Sequence, residues 1–313
     1  MRVGGVNVKG ILLAGGTGSK LYPLTAGVNK HLLAVYDKPM IYYSLSLFMH
    51  ADVEEILIVS TPKDVPHFQE ILGDGSRFGL RLRYAVQNAP NGIAEVFEIG
   101  DSFIGTSDIM VVLGDNFLYG DQLPEQLHTV REKLDGCAIF GYRVEKPSAF
   151  DIVELDDTGN ATCIEEKPIF PKSDVAIPGI YFFSADVVEK AKQIMPSYHG
   201  ELEITSVLDL YLKENRLRVQ LLRRGSIWFD LATVDDVFAL ANYVKTVQQQ
   251  QGLKIACLEE IALVKQLITA EQLYKNTVMM RNQPYQQYLW KILEKQGYEK
   301  SPRVVRREFV FEE

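Results

Sequence analysis

Three cysteines in 313 residues are too few for a disulfide framework. Cys137, Cys163 and Cys257 share no metal-ligand spacing, so each reads as a small buried or half-buried apolar residue. Positive charge is also scarce: 33 Lys and Arg face 41 Asp and Glu, a formal net charge of -8. That balance lacks the basic footprint of a nucleic-acid binder, so a phosphate ligand has to be held by a local site. No apolar run is long enough to span a bilayer, and Met1 to Lys9 lacks the apolar segment of a secretory signal. No membrane partner is expected, and the expected compartment is the reducing cytoplasm. Repeats and an interdomain linker are missing too, and the glutamine run Gln248 to Gln251 is too short to be low-complexity. What is present is an ordinary globular balance, 47% hydrophobic and 24% charged, able to fill a sizeable core.

The first half alternates two kinds of segment. Gly10–Ala14, Glu55–Ser60 and Ile109–Leu113 are short apolar runs, and Leu80–Val86 alternates, so all four read as strands. Met40–Met49, Val65–Leu72, Ile93–Phe103 and Leu123–Leu134 have helical apolar spacing. This order predicts an α/β fold, a Rossmann-like mixed, mostly parallel sheet flanked by helices. After Gly136 strand-like segments crowd together: Cys137–Tyr142, Ile152–Leu155, Thr162–Glu166 and Ile177–Phe183. Val187–Ile194 and Ile204–Glu214 read as helices, Leu217–Leu222 as a strand and Thr233–Gln250 as a long helix. The tail from Gly252 reads as helical, with an aromatic segment Tyr285–Gln296 and a charged, flexible end from Arg303. The expected division is a core domain, 1–251, and a small helical C-terminal appendage, 252–313, packed on the core or on a neighbouring subunit.

In an open α/β sheet, ligands bind beyond the carboxyl ends of the strands. Two loops belong there. The first, Leu13-Ala14-Gly15-Gly16-Thr17-Gly18-Ser19-Lys20, lets backbone N–H groups approach a phosphate. It lacks the Gly-Lys-Ser/Thr ending of a P-loop, and Leu21 stands where the third glycine of a dinucleotide fingerprint belongs, which argues against an NAD enzyme. The second, Gly114-Asp115-Asn116, puts an acid at a strand end, well placed for a divalent metal. Alone, the glycine loop is equally readable as a tight turn, and Asp115 reads more readily as a capping or turn residue.

Several ordered motifs together resemble the glucose-1-phosphate thymidylyltransferase family. They are Lys9–Gly18 with Leu21-Tyr22-Pro23-Leu24-Thr25, then Tyr36–Tyr43, Leu72–Ser76, Leu113–Asn116, Glu165-Glu166-Lys167-Pro168 and Gly200–Thr205. The resemblance implies transfer of a deoxythymidylyl group from dTTP to a sugar 1-phosphate, giving a dTDP-sugar and pyrophosphate with Mg2+. It implies that Leu13, Gly15, Gly16, Thr17 and Gly18 line the nucleotide and that Gln87 and Gly92 read the base. Lys20, Lys30 and Lys167 are the implied catalytic cations. Asp115 and Asp230 are the implied metal ligands. Asp151, Glu166, Lys167, Gly179, Tyr181, His199 and Glu201 are the implied sugar-phosphate positions. A homo-oligomer, tetramer or dimer, is implied as well.

Departures from the family pattern cluster near the sugar phosphate and the metal. Lys20 replaces an arginine and loses its flat fork. His31-Leu32-Leu33-Ala34 replaces a glutamine and Leu-Leu-Pro. Phe150-Asp151 stands for Tyr-Gly, His199 for an arginine, and Leu231-Ala232-Thr233 for Thr-Gly-Thr. The alternatives left open are another sugar 1-phosphate, UTP in place of dTTP, or a weakly active, regulatory homologue. His50, His67 and His128 read as structural, and Trp228 as packing beside Asp230.

Overall fold

Alternate residues of the apolar strands divide between two cores. The computed structural model describes residues 7–16, 18–280 and 283–298. Val8–Leu13 lies between Glu55–Ser60 and Asp108–Leu113, parallel to both, and Arg81–Val86 extends the parallel order. Leu12, Ile56, Ile58, Met110 and Val112 face one core with the helix Met40–His50. Ile11, Leu57, Val59, Ile109 and Val111 face the other, which holds Phe97, Phe103, Val207 and Tyr211. Side chains alternate across a strand, so burial on both faces produces the unbroken apolar runs seen in the sequence.

The second half completes a ten-stranded sheet among the described residues. Ile180–Phe183 runs antiparallel between Asp108–Leu113 and Cys137–Arg143. Leu217–Leu221 pairs parallel with Cys137–Arg143. Val175–Ala176, Ile152–Leu155 and Ala161–Glu165 extend the sheet in antiparallel order. The expected mixed, mainly parallel first half and crowded second half are both present.

Some boundaries move for local reasons. The single helix expected over Ile93–Phe103 is a 3-10 turn, Ile93–Glu95, followed by Val96–Ile99 and Asp101–Ile104. The break is at Gly100, where an added side-chain carbon would lie 2.9 Å from the Val96 carbonyl and 3.3 Å from Ile11. The strand expected to begin at Ile177 begins at Ile180, because Pro178 lacks a donor and Gly179 turns the chain into the site. Two small antiparallel pairs escaped the sequence reading: Asn116–Tyr119 with Ile227–Asp230, and Ala34–Val35 with Lys38–Pro39.

The helix Val234–Gln251 starts at a capping box between Thr233 and Asp236 and ends at Gly252 in the left-handed region, φ 68°. Helices Leu258–Val264, Ala270–Val278 and Gln283–Lys295 follow. Cys257, Leu258, Ala262, Leu273, Leu289 and Leu293 share one apolar cluster with Phe48 and Phe78. Cys137 and Cys257 are buried and Cys163 half-buried, all as free thiols. Among the described residues no helix is long and apolar enough to cross a membrane. The end from Arg303 lies outside the described residues.

Candidate active site

The register of three strands builds the site. Leu13 is level with Val59 on one side and Leu113 on the other. Just beyond, Ala14 N donates to Val59 O and Gly114 N to Leu13 O, both at 2.8 Å. The Gly15-Gly16 turn and the Gly114-Asp115 turn therefore emerge side by side. Gly114 has no room for a side chain: a carbon there would lie 2.6 Å from His31 Cδ2 and 2.7 Å from Leu13 O.

Asn29 holds the next element in place. Its side chain accepts from His31 N at 2.9 Å, and donates to Ala14 O at 3.1 Å and to Asp64 Oδ2 at 2.8 Å. The 3-10 turn Lys30–Leu32 is thereby pinned against the strand ends. His31 is buried, with Nδ1 2.7 Å from Asn29 Oδ1. Burial, helped by the neighbouring Lys30 ammonium, pushes its imidazole down to about 3, so it is neutral and structural at ordinary pH. Lys30 in turn makes an ion pair with Asp115.

The small ribbon brings the second acid. Asp230 is level with Asn116, and Leu231 N donates to Asp115 O at 3.1 Å. Asn116 ties the strands together: its Oδ1 accepts from Gly179 N at 2.9 Å and from Trp228 Nε1 at 2.7 Å, while Nδ2 donates to Asp115 Oδ1 at 3.1 Å. The two acids are electrostatically distinct. Burial raises the Asp115 carboxyl, but the neighbouring positive charge, Lys30 above all, and the hydrogen bonds from Lys30 and Asn116 together outweigh this and hold it below the usual value. Burial, and then the Asp115 charge, push Asp230 up to about 7. Two half-buried carboxylates share one neighbourhood, and the second is short of positive charge.

On one side of this pair opens a cleft of about 220 Å3, lined by Leu13, Gly15, Gly16, Lys30, Gln87, Gly92, Asp115 and Glu201. Gln87 Nε2 donates to Gly92 O at 3.1 Å and to Glu95 at 2.7 Å. Gly92, φ 104°, lets the chain 201–203 lie against it, with Leu202 N donating to Asn91 O at 2.7 Å. On the other side, Glu165 pairs with Ile152, so Asp151 and Glu166 are neighbours one step further along. Thr205 Oγ1 reaches Glu166 at 3.4 Å. Lys167 is exposed with φ 36°, a left-handed conformation that a lysine rarely adopts and that often marks a site. Burial raises the Asp151 carboxyl to about 6, against the opposing pull of Lys167.

The nucleotidyl transferase family profile matches residues 9–247. The glucose-1-phosphate thymidylyltransferase of Neisseria gonorrhoeae is 47% identical over 92% of this chain and 100% of its own length. That of Mycobacterium tuberculosis is 43% identical with the same coverage. The chain belongs to the nucleotidyl transferase family, within its glucose-1-phosphate thymidylyltransferase group. A solved Bacillus anthracis chain assigned to that enzyme, in complex with sucrose, superposes with a TM-score of 0.70 at 34% identity, covering 75% of this chain and 94% of that one. A UDP-glucose pyrophosphorylase complexed with UDP-glucose, 20% identical, shares the fold with a TM-score of 0.68 over 77% of this chain and 99% of that one.

Within this nucleotidyl transferase fold the remaining expected positions fall in different places. Gly18 sits at φ 59°, its carbonyl accepting from Thr25 Oγ1 at 2.8 Å. Thr17 lies outside the described residues. Lys20 is exposed on the 3-10 turn Ser19–Leu21 and does not line the cleft. His199 is exposed on the turn after Ser197, whose Oγ accepts from His199 N at 3.3 Å. Gly179 packs against Leu113 and Asn116, where a side-chain carbon would come within 2.6 Å of Leu113. Tyr181 is only 2% exposed; burial first, then the charges of Asp151, Asp230 and Asp115, raise its phenol well above the ordinary value. Sequence reasoning did not single out Asn29, Asn116 as a tie, or Glu203, which is raised mainly by burial and accepts from Ser197 Oγ at 3.0 Å. Only their adjacency to Lys30, Asp115 and Glu201 signalled them. His128 has acidic neighbours, Glu132 at 3.5 Å and Asp52 at 3.9 Å, where none was visible from sequence.

Proposed function

We propose that this chain transfers a deoxythymidylyl group from dTTP to glucose 1-phosphate and releases pyrophosphate. The observation that carries the reading is the Lys30, Asp115 and Asp230 set at the carboxyl ends of the parallel strands, with the glycine-lined cleft on one side and Glu166 and Lys167 on the other. A phosphate oxygen of the sugar 1-phosphate attacks the α-phosphorus of the nucleotide in line. One P–O bond forms, the P–O bond to pyrophosphate breaks, and no side-chain nucleophile is needed. Two polyanions have to meet, so positioning and charge neutralisation dominate.

In this reading the Gly15-Gly16-Thr17-Gly18 turn and Leu13 cradle the nucleotide, and Gln87 and Gly92 face its base. Lys30 and Lys167 bring positive charge to the nucleotide phosphates and to the sugar phosphate, with Lys20 an exposed contributor at the mouth. Glu166 and Tyr181 flank the sugar, Glu201 reaches it from the cleft shared with Gln87 and Gly92, and Gly179 and His199 frame its pocket. Asp115 and Asp230 fit Mg2+: both donors are carboxylate oxygens, they are close enough for one to raise the other, and a divalent cation relieves that repulsion. When bound, the ion supplies neutralisation of phosphate charge.

The names of the curated relatives favour dTTP over UTP. The division at residue 251, the cytoplasmic location and a dimeric or tetrameric assembly belong to the same proposal; light scattering of the purified chain decides the last. The transfer is tested by incubating the protein with dTTP, glucose 1-phosphate and Mg2+ and measuring pyrophosphate. Silence across a panel of nucleotides and sugar 1-phosphates contradicts it, and nucleotide binding without turnover would favour the regulatory alternative.

A further inference from the structure

A cavity of about 290 Å3 opens where the first part of the chain meets the C-terminal helices, and it shares no lining residue with the cleft of the candidate active site. Pro39 and Tyr42, at the start of the helix Met40–His50, line it together with Met280 and Tyr285 from the C-terminal segment. A second cavity of about 250 Å3 shares Arg77, Glu259 and Met280 with the first, so the two adjoin. Arg77 and Glu259 thus line both cavities, yet no ion pair joins them among the described residues. Arg77 stands on the 3-10 turn Ser76–Phe78. Its Nη2 donates to Tyr42 Oη at 2.9 Å and to Ile71 O at 2.6 Å, and its guanidinium carbon lies 4.4 Å over the Phe78 ring. The group is held in place, while its Nη1 and Nε edge has no partner among the described residues. Glu259, on the helix Leu258–Val264, is only 4% exposed. Its Oε2 accepts from Tyr285 Oη at 2.8 Å, but no cation pairs with it among the described residues. Asp37 and Lys38, also at the wall, are already matched: Lys38 Nζ donates to Asp37 Oδ1 at 2.6 Å and Lys254 Nζ to Asp37 Oδ2 at 2.5 Å. A buried carboxylate without a counter-charge is costly.

The two unmatched charges say what fits. A lone anion would satisfy Arg77 but bring a second negative charge to Glu259, and a lone cation would meet the same difficulty at Arg77. A molecule carrying both charges satisfies both, through charge-assisted hydrogen bonds roughly twice as strong as neutral ones. The flat fork of a guanidinium matches a carboxylate, and an ammonium offers three donors to an acid. The remaining wall of Pro39, Tyr42 and Met280 suits a short apolar stem. We propose that this cavity binds a small zwitterion of the amino-acid class, with its carboxylate on the Nη1 and Nε edge of Arg77 and its ammonium on Glu259. The bound molecule ties the turn Ser76–Phe78 to the helix Leu258–Val264 and so joins the first part of the chain to the C-terminal helices. A ligand held only by the folded chain raises its thermal midpoint.

The test is calorimetric titration of the full chain at neutral pH, with thermal unfolding as a second readout. The probes are glycine, β-alanine, γ-aminobutyrate, alanine, leucine, methionine and phenylalanine, each beside the amine lacking its carboxylate and the acid lacking its amino group. At least one amino acid should saturate the protein and raise its thermal midpoint, and its amine and acid counterparts should each bind about tenfold or more weakly. Arg77→Gln and Glu259→Gln should each weaken that amino acid by about tenfold or more. Arg77 is exposed, so Arg77→Gln decides the matter should Glu259→Gln disturb folding. No saturation by any amino acid up to on the order of 10 mM overturns the proposal. Equal binding of an amine or an acid alone, or binding that survives both substitutions, overturns it as well. Neither residue belongs to the candidate active site, so a negative titration leaves the transfer reading standing, and an absence of pyrophosphate leaves this site standing.

Discussion

The charge state of single residues separates the machinery from the scaffold. Asp115 is kept ionised by Lys30, and it is the first donor of the proposed metal pair. Asp115→Asn should leave the fold intact and lower turnover on the order of a hundredfold to a thousandfold, with the loss read in kcat. Unchanged turnover would remove Asp115 from the site. Asp151 makes a second prediction, this time of stability. Its carboxyl titrates at about 6 when folded against 3.8 when free, so between these values the folded chain holds a proton that the unfolded chain has released. Below the lower value both states are protonated and there is no effect. As pH rises through the window stability falls, and above about pH 6 the full penalty is present. Asp151→Asn should therefore raise the thermal midpoint relative to wild type above about pH 6 and leave it unchanged near the lower value. A constant offset at all pH values would contradict this. Asp151 was visible in the sequence as a departure from the family pattern. That its carboxyl is half-buried beside Glu166 was not, because this depends on three strands meeting there.

At the scale of elements, the site is held by short irregular pieces fixed to regular ones. The Asn29–Leu32 turn is tied to Ala14, Asp64 and His31 by one side chain. Asn29→Ala should cost about 1–3 kcal/mol, read by denaturant unfolding, and should lower activity further because Lys30 is no longer aimed at Asp115. Gly114→Ala forces a carbon to 2.6 Å from His31 and 2.7 Å from Leu13 O, and should destabilise by about 1–3 kcal/mol. A Gly114→Ala protein as stable as wild type would show that the two turns are not in close contact. The parallel strands were legible because each is a short apolar run buried on both faces. The Asn116–Tyr119 and Ile227–Asp230 ribbon was not. Phe117, Phe229 and Tyr243 pack there as one aromatic cluster, and no local sequence pattern reports a pairing across more than a hundred residues. The broken helix after Ile93 was missed for a related reason: its helical spacing is genuine, but Gly100 has to press against Ile11.

For the whole molecule, the C-terminal helices share a core with the sheet. Leu258, Leu289 and Leu293 are buried with Phe48, and Lys254 reaches Asp37 at 2.5 Å across the junction. Ending the chain at Gln251 would uncover the helix Met40–His50, whose far end supports the Lys30 turn, and the truncated protein is expected to aggregate or to lose its cooperative melt. A soluble, cooperatively folding 1–251 fragment would contradict that. The arrangement of the sheet was readable from the order of apolar segments, and the two loops of the candidate site from the strands they follow. Which acid is charged, and which side chain orients which, depends on contacts between distant segments. Nucleotidyl transfer between two phosphates held either side of Asp115 and Asp230 is tested by mass balance: protein, dTTP, glucose 1-phosphate and Mg2+, with pyrophosphate and nucleotide sugar quantified together by mass spectrometry. One dTDP-glucose per pyrophosphate is expected, abolished by a chelator and collapsed in Asp115→Asn. Pyrophosphate without nucleotide sugar, or neither product, would contradict it.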